Sequence, residues 1–133
     1  MEFDNHKPIY MQVIEDITRK MVTGELPPGE KLPSVRDLAL AYAINPNTAS
    51  RVYREMEQME LSFTRRGLGT FITEDREVYD EIRAKMVREC LSTFVRGMHT
   101  LGYTDTDEMA ALLRDYKEKT EAGADSDTSK EEE

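Results

Sequence analysis

A single cysteine, two histidines and no tryptophan stand among the 133 residues of this chain. One cysteine, Cys90, excludes an intrachain disulfide and suits a reducing compartment. Two histidines, His6 and His99, are too few for a Ser/His/Asp or Cys/His catalytic arrangement, so no catalytic residues are expected. His99 falls near a helix end, where a solvated or capping role outweighs metal binding. Asp105, Asp107 and Glu108 lack the frame of a calcium loop, so no metal site and no cofactor are expected. No apolar run approaches the roughly 18 residues of a membrane span. The segment Met1-Glu2-Phe3-Asp4 is acidic and has no apolar signal core. Together these absences predict a cytoplasmic protein that does not engage a membrane. The length fits one domain, or a small domain with an appendage, and excludes a dinucleotide or pyridoxal-phosphate enzyme.

Positive charge is also short. The formal net charge is -9, which taken alone opposes binding to a polyanion. The distribution says more than the sum. Residues 1–73 hold 9 Lys+Arg against 10 Asp+Glu, while residues 74–133 hold 9 against 17. The span from Lys31 to Thr73 carries 6 Lys+Arg and 4 Asp+Glu, a small positive excess on an acidic body.

The element signals are local and clear. After Pro8, residues Tyr10, Val13, Ile14, Ile17 and Met21 share one helical face, and Gly24 is a stop. Leu26 to Pro33 holds three prolines and reads as a connector with room for a short extended piece. Ser34 with Asp37 resembles a capping box opening a short helix to about Tyr42, with Val35, Leu38 and Ala39 inward. Asn45 caps and Pro46 starts the next helix, which runs through Ala49, Val52, Tyr53 and Met56 to about Met59. The tight gap between these two helices is that of a helix-turn-helix. Two runs of strand formers, Leu61 to Thr64 and Thr70 to Thr73, flank Arg65-Arg66-Gly67-Leu68-Gly69 and predict a β-hairpin.

Three helices followed by a hairpin is the order of a winged helix-turn-helix. Such a fold sets the N-terminal end of its second motif helix against base edges in the major groove. Here that end offers Asn45, Asn47, Thr48 and Ser50, with Arg51 and Arg54 further along. Arg36 lies near the start of the preceding helix, and Arg65, Arg66 and Gly67 form the wing tip. The short polar groups can read bases, the helix end favours phosphate, and the glycine lets the tip approach a backbone. Double-stranded DNA is the partner this pattern fits. The alternative, which the net acidity favours, is a winged-helix module for protein–protein contacts without specific DNA binding.

The sequence resembles the GntR family of bacterial transcription regulators, in its short YtrA-type branch. The resemblance rests on Pro8-Ile9-Tyr10-x-Gln12 and on Gly24-x-Leu26-x-Pro28-Gly29-x-Lys31-Leu32-Pro33-Ser34-x-Arg36-x-Leu38-Ala39. It continues through Asn45-Pro46-Asn47-Thr48 and Tyr53-Arg54 to Thr64-Arg65-Arg66-Gly67-x-Gly69-Thr70-Phe71. It implies a regulator, most simply a repressor, acting as a homodimer on a near-palindromic operator. It also implies DNA contacts from Arg36, Asn45, Asn47, Thr48, Ser50, Arg51, Arg65, Arg66 and Gly67. Two positions depart from the family's pattern. Glu60 stands where glycine is usual, at a cost of about 1–2 kcal/mol if the backbone there is left-handed. Ser62 stands where a β-branched apolar residue is usual.

The fold class expected is therefore mainly α: a winged helix-turn-helix over residues 8–75, then a two-helix dimerisation region over residues 76–120. Residues 121–133 read as a disordered acidic tail. In the second region Ala84, Val87, Leu91, Phe94, Met98 and Leu101 are spaced 3, 4, 3, 4, 3. Val78, Ile82, Met86 and Cys90 widen the stripe, which makes a buried thiol the expectation at Cys90. Gly102 stops this helix, Asp105 with Glu108 caps the next, and Met109, Leu112, Leu113 and Tyr116 form its apolar stripe. Two helices cannot enclose a deep pocket. Val87, Leu91, Phe94, Met98, Leu101 and Leu112 are expected at a homodimer interface. A small-molecule effector, its identity open, would bind at that interface or against the DNA-binding domain.

Overall fold

The computed structural model describes residues 1–131, with side chains through Gly123. Its elements run α1 (Ile9–Thr23), α2 (Val35–Tyr42), α3 (Pro46–Gln58), β1 (Ser62–Arg65), β2 (Gly69–Ile72), α4 (Arg76–Thr100) and α5 (Thr106–Glu131). The chain divides into two compact units, Met1–Met86 and Val87–Glu133.

In the first unit each helix starts and stops for a local reason. Ser34 Oγ accepts the Asp37 N–H at 3.1 Å, which opens α2. Asn45 Oδ1 accepts the Asn47 N–H at 2.8 Å, and Pro46 takes the first turn of α3. Gly24, at φ 89°, closes α1. The inward faces of the three helices supply Val13, Ile17, Met21, Leu38, Val52 and Met56 to one core, closed from the hairpin side by Leu61 and Ile72. Two tyrosines tie the helices together. Tyr42 donates to Asp16 Oδ2 at 2.7 Å, joining α2 to α1. Tyr53 donates to the Pro33 carbonyl, joining α3 to the connector. Burial, with the Asp16 carboxylate for Tyr42 and Asp37 for Tyr53, pushes both phenols far above their ordinary range, so both stay donors.

The hairpin pairs Ser62 with Ile72, Phe63 with Phe71, Thr64 with Thr70 and Arg65 with Gly69. Phe63 and Phe71 stack with ring centroids 5.7 Å apart. Lys31 bridges to Phe71, and the Leu32 N–H reaches the Thr70 carbonyl at 2.8 Å, so the connector lays an extended piece beside β2. This is the short extended segment expected between Leu26 and Pro33.

The end of α3 is a strained point, as is the end of α2, where Ala43 has φ 54°. Leu61 N–H bonds the Met56 carbonyl at 2.9 Å and Glu60 N–H bonds the Glu57 carbonyl at 3.0 Å. That is a Schellman closure, whose left-handed residue is usually glycine. Here it is Glu60 at φ 62°. The left-handed backbone anticipated at the departure from the family pattern is present. Glu60→Gly is expected to raise the unfolding free energy by about 1 kcal/mol. Urea unfolding at constant m-value measures it, and an unchanged midpoint would refute the strain argument.

Two features differ from expectation. The division between compact units falls inside α4 rather than at residue 75, because Val78, Tyr79 and Ile82 pack on the first core. Tyr79 also donates to the Leu26 carbonyl at 3.1 Å. The composition shift near Glu74 therefore marks the start of a helix, not the end of a domain. Second, α5 continues as helix through Glu131, into the stretch expected to be a disordered tail. No proline interrupts it, and the pairs Lys117–Glu121 and Lys119–Asp115 sit at helical spacing. The final residues of that tail, 132 and 133, lie outside those described.

In the second unit Met109 is the one buried apolar side chain among the described residues. Phe94 and Met98 are half-buried, and Val87, Leu91, Leu101, Leu112, Leu113 and Tyr116 are exposed. Cys90 is exposed as well, contrary to the buried thiol expected from its place beside the stripe. The reason is geometric: with so little of this unit's surface covered, flanking positions of the stripe face solvent.

Candidate nucleic-acid interface

The first turn of α3 carries no acidic residue, so the positive end of its dipole is not neutralised. Asn47 and Ser50 are exposed there, while Thr48 is half-buried. Asn45 is exposed; one lone pair of its Oδ1 is taken by the cap, and its amide nitrogen can donate outward. Arg54 is exposed further along the same helix.

Arg51 is exposed, and its guanidinium is held in place by two neighbours. Its guanidinium carbon lies 3.9 Å from the Tyr10 ring centroid, and its Nε is 3.9 Å from Glu55 Oε1. Stacking on a tyrosine from α1 fixes the plane of this side chain and leaves part of its fork outward. Nothing in the local sequence of α3 signals Tyr10 as its partner, since the two residues are forty-one positions apart.

The wing tip is open. Arg66 is exposed and makes no ion pair among the described residues, and Gly67 at φ 80° has nothing near the position a Cβ would take. Gly67 is therefore required for the turn's conformation rather than for room. Arg65 lies over the Phe63 ring at 5.4 Å. Arg36 is exposed in the first turn of α2.

An open groove of about 740 Å³ runs between the wing and the start of α2, lined by Lys31, Ser34, Tyr53, Leu68, Gly69 and Thr70 among others. Lys31 lies across Gly69 and has no ion pair among the described residues. Its place was not legible as part of the site, because the segment around it reads as a connector. The pairing of that connector with β2 brings the lysine to the wing. Among the described residues no three His, Cys, Asp or Glu side chains could hold a metal ion.

A three-helix unit with a tight turn before its third helix and a two-stranded wing after it is a winged helix-turn-helix. The chain belongs to the gntR family of bacterial regulatory proteins, whose model matches residues 9–72. It is 45% identical over 122 residues to the uncharacterized HTH-type transcriptional regulator YhcF of Bacillus subtilis, covering 92% of this chain and 98% of that protein. It is 32% identical to the HTH-type transcriptional repressor YtrA of the same organism, covering 90% of this chain and 92% of that one. A solved GntR family transcriptional regulator from Listeria monocytogenes superposes with a TM-score of 0.76 at 34% identity, covering 85% of this chain and 98% of that one. The chain is thus a DNA-binding transcription regulator and not an enzyme. None of its described helices is long and apolar enough to cross a membrane.

Proposed function

We infer that the protein is a cytoplasmic repressor that binds a near-palindromic double-stranded operator as a homodimer. The observation that carries DNA reading by this surface is the acid-free, exposed first turn of α3 together with the unpaired arginines of the wing. Asn47 and Ser50 reach for base edges. Arg36, Arg54, Arg65, Arg66 and Lys31 supply phosphate contacts, and Gly67 lets the wing approach the backbone. Thr48 and Asn45 shape the start of the helix, and Arg51 contributes from its seat on Tyr10. Repression is the action named for YtrA of Bacillus subtilis, a relative similar over most of both chains. The exposed apolar residues of α4 and α5 support a second copy of the chain as partner.

Two variants separate base reading from phosphate attraction. Asn47→Ala is expected to reduce discrimination between operator and random DNA by about 1–3 kcal/mol. Arg66→Ala is expected to weaken both DNAs alike and to flatten the slope of log affinity against log salt by about 1. Fluorescence anisotropy with a fragment from upstream of the protein's own gene, at several salt concentrations, reads both. Equal losses on both DNAs for Asn47→Ala would remove it from the base readers. An unchanged slope for Arg66→Ala would place the wing off the phosphates.

A further inference from the structure

Arg51 is held in a way that its neighbouring arginines are not. Its guanidinium stacks on Tyr10 at 3.9 Å, and its Nε lies 3.9 Å from Glu55 Oε1. Arg36, Arg54 and Arg66 are exposed and make neither kind of contact among the described residues. Arg65 meets the Phe63 ring at a looser 5.4 Å and has no ion pair among the described residues.

The platform under Arg51 is anchored outside α3. Tyr10 opens α1, and its ring is half-buried against the core. Arg51 itself lies on the outer stripe of α3, with Asn47 four residues before it and Arg54 three after, opposite the inward Ala49, Val52 and Met56. Its side chain stays 51% exposed despite the stack. Glu55 lies on the Nε side. The two terminal nitrogens, which have no hydrogen bond or ion pair among the described residues, are the donors left for a ligand.

This arrangement suits a base edge better than a phosphate. Phosphate attraction works through charge from many orientations and gains little from a fixed plane. A carboxylate beside the guanidinium also weakens its pull on an anion. A guanine edge makes the opposite demand. Its O6 and N7 acceptors need two N–H donors in one plane, and a neutral base is not repelled by the Glu55 carboxylate. Setting that plane before DNA arrives spares the ordering cost on binding. We propose that Arg51 reads the major-groove edge of a guanine through its two terminal nitrogens, and that Tyr10 is the positioning residue that sets its plane. The role rests on the reading of α3 as the base-contacting helix given above. Tyr10 contributes its ring, not its hydroxyl, and acts through Arg51.

The test begins with selection by the full chain from double-stranded DNA with a randomised core. Wild type is expected to select a consensus with a G·C pair that Arg51→Ala no longer selects. Replacing that guanine by 7-deazaguanine removes the N7 acceptor. It is expected to weaken wild-type binding about tenfold and to leave Arg51→Ala binding unchanged. Tyr10→Phe, which keeps the ring, is expected to match wild type. Tyr10→Leu is expected to lose most of the sensitivity to 7-deazaguanine, and to cause no further loss on the consensus when combined with Arg51→Ala. A readout that does not depend on the folding of Tyr10→Leu is the Arg51 Nε–H proton resonance in free wild type and Tyr10→Phe, expected upfield of free arginine from the ring current. The guanine contact is overturned if Arg51→Ala selects the wild-type consensus, if it weakens random DNA as much as the consensus, or if 7-deazaguanine has no effect on wild type. The positioning role is overturned if Tyr10→Phe fails as Tyr10→Leu does, if folded Tyr10→Leu keeps full sensitivity, if the two losses simply add, or if the Arg51 resonance is unshifted. A wild type that selects no consensus at all would overturn the reading of α3 itself, and this role with it.

Discussion

Met56→Ala is expected to lower the unfolding free energy by about 2–5 kcal/mol, a large part of the total for a domain of this size. Met56 is fully buried on the inward face of α3, within the core that also holds Val13, Leu38, Val52 and Ile72. Truncation removes the transfer energy of its side chain and leaves a cavity among helices that are pinned at their ends. Collapse of that cavity is restricted, because Tyr53 is tied to Pro33 and the Met56 carbonyl accepts the Leu61 N–H. The penalty therefore falls on the seat of α3 as well as on stability. Urea unfolding followed by far-ultraviolet circular dichroism should show a lower midpoint at unchanged m-value. Arg66→Ala, at an exposed position, should stay within about 0.5 kcal/mol of wild type in the same experiment. A loss below about 1 kcal/mol for Met56→Ala would mean that the core closes over the gap.

The parts of this protein that were legible from sequence are those set by chemistry within four residues. Ser34, the pair Asn45-Pro46, and the glycines Gly24 and Gly102 act on backbone groups next to them, so the element order follows from reading them in turn. The hairpin was legible for the same reason, since Gly67 has to supply a positive φ between two runs of strand formers. The family's residues then pointed to the polar end of α3 and the wing tip as the surface proposed here to face DNA.

What escaped notice depends on contacts far apart in the chain. The stacking of Arg51 on Tyr10 joins α3 to α1, and the placing of Lys31 at the wing needs the connector to pair with β2. Neither is encoded by spacing. The exposure of Cys90 depends on how little covers α4 in its own unit, which a periodic stripe does not reveal. The two departures from the family pattern were visible as anomalies, but their meaning was not. In the structure Glu60 carries the left-handed backbone and Ser62 the unpaired hydroxyl, and both line one groove.

Leu91→Asp is expected to convert the protein to a monomer and to reduce operator affinity by about 100- to 10,000-fold, the advantage of binding two half-sites as one. Phe94→Asp strikes the same stripe, but Phe94 is half-buried within its own unit, so its loss mixes dimerisation with folding. Leu91 is 55% exposed in the single chain, so an aspartate there costs little in the protomer alone. The pressure to bury this surface is considerable, because Val87, Leu101, Leu112 and Leu113 are exposed on the same unit. On a free monomer so much apolar surface would favour aggregation, whereas a two-fold partner can cover it by presenting the same residues in return. A two-fold arrangement also provides two reading helices, which a palindromic operator needs about one turn of DNA, roughly 34 Å, apart. The net acidity of residues 74–133 favours the same division of labour, since like charge disfavours phosphate beside that segment. Sedimentation equilibrium at micromolar concentration should give twice the chain mass for wild type and the single mass for Leu91→Asp, with thermal unfolding of the winged-helix unit unchanged. A wild-type mass equal to one chain at every concentration, or full operator affinity in the monomeric variant, would refute the dimer as the DNA-binding species.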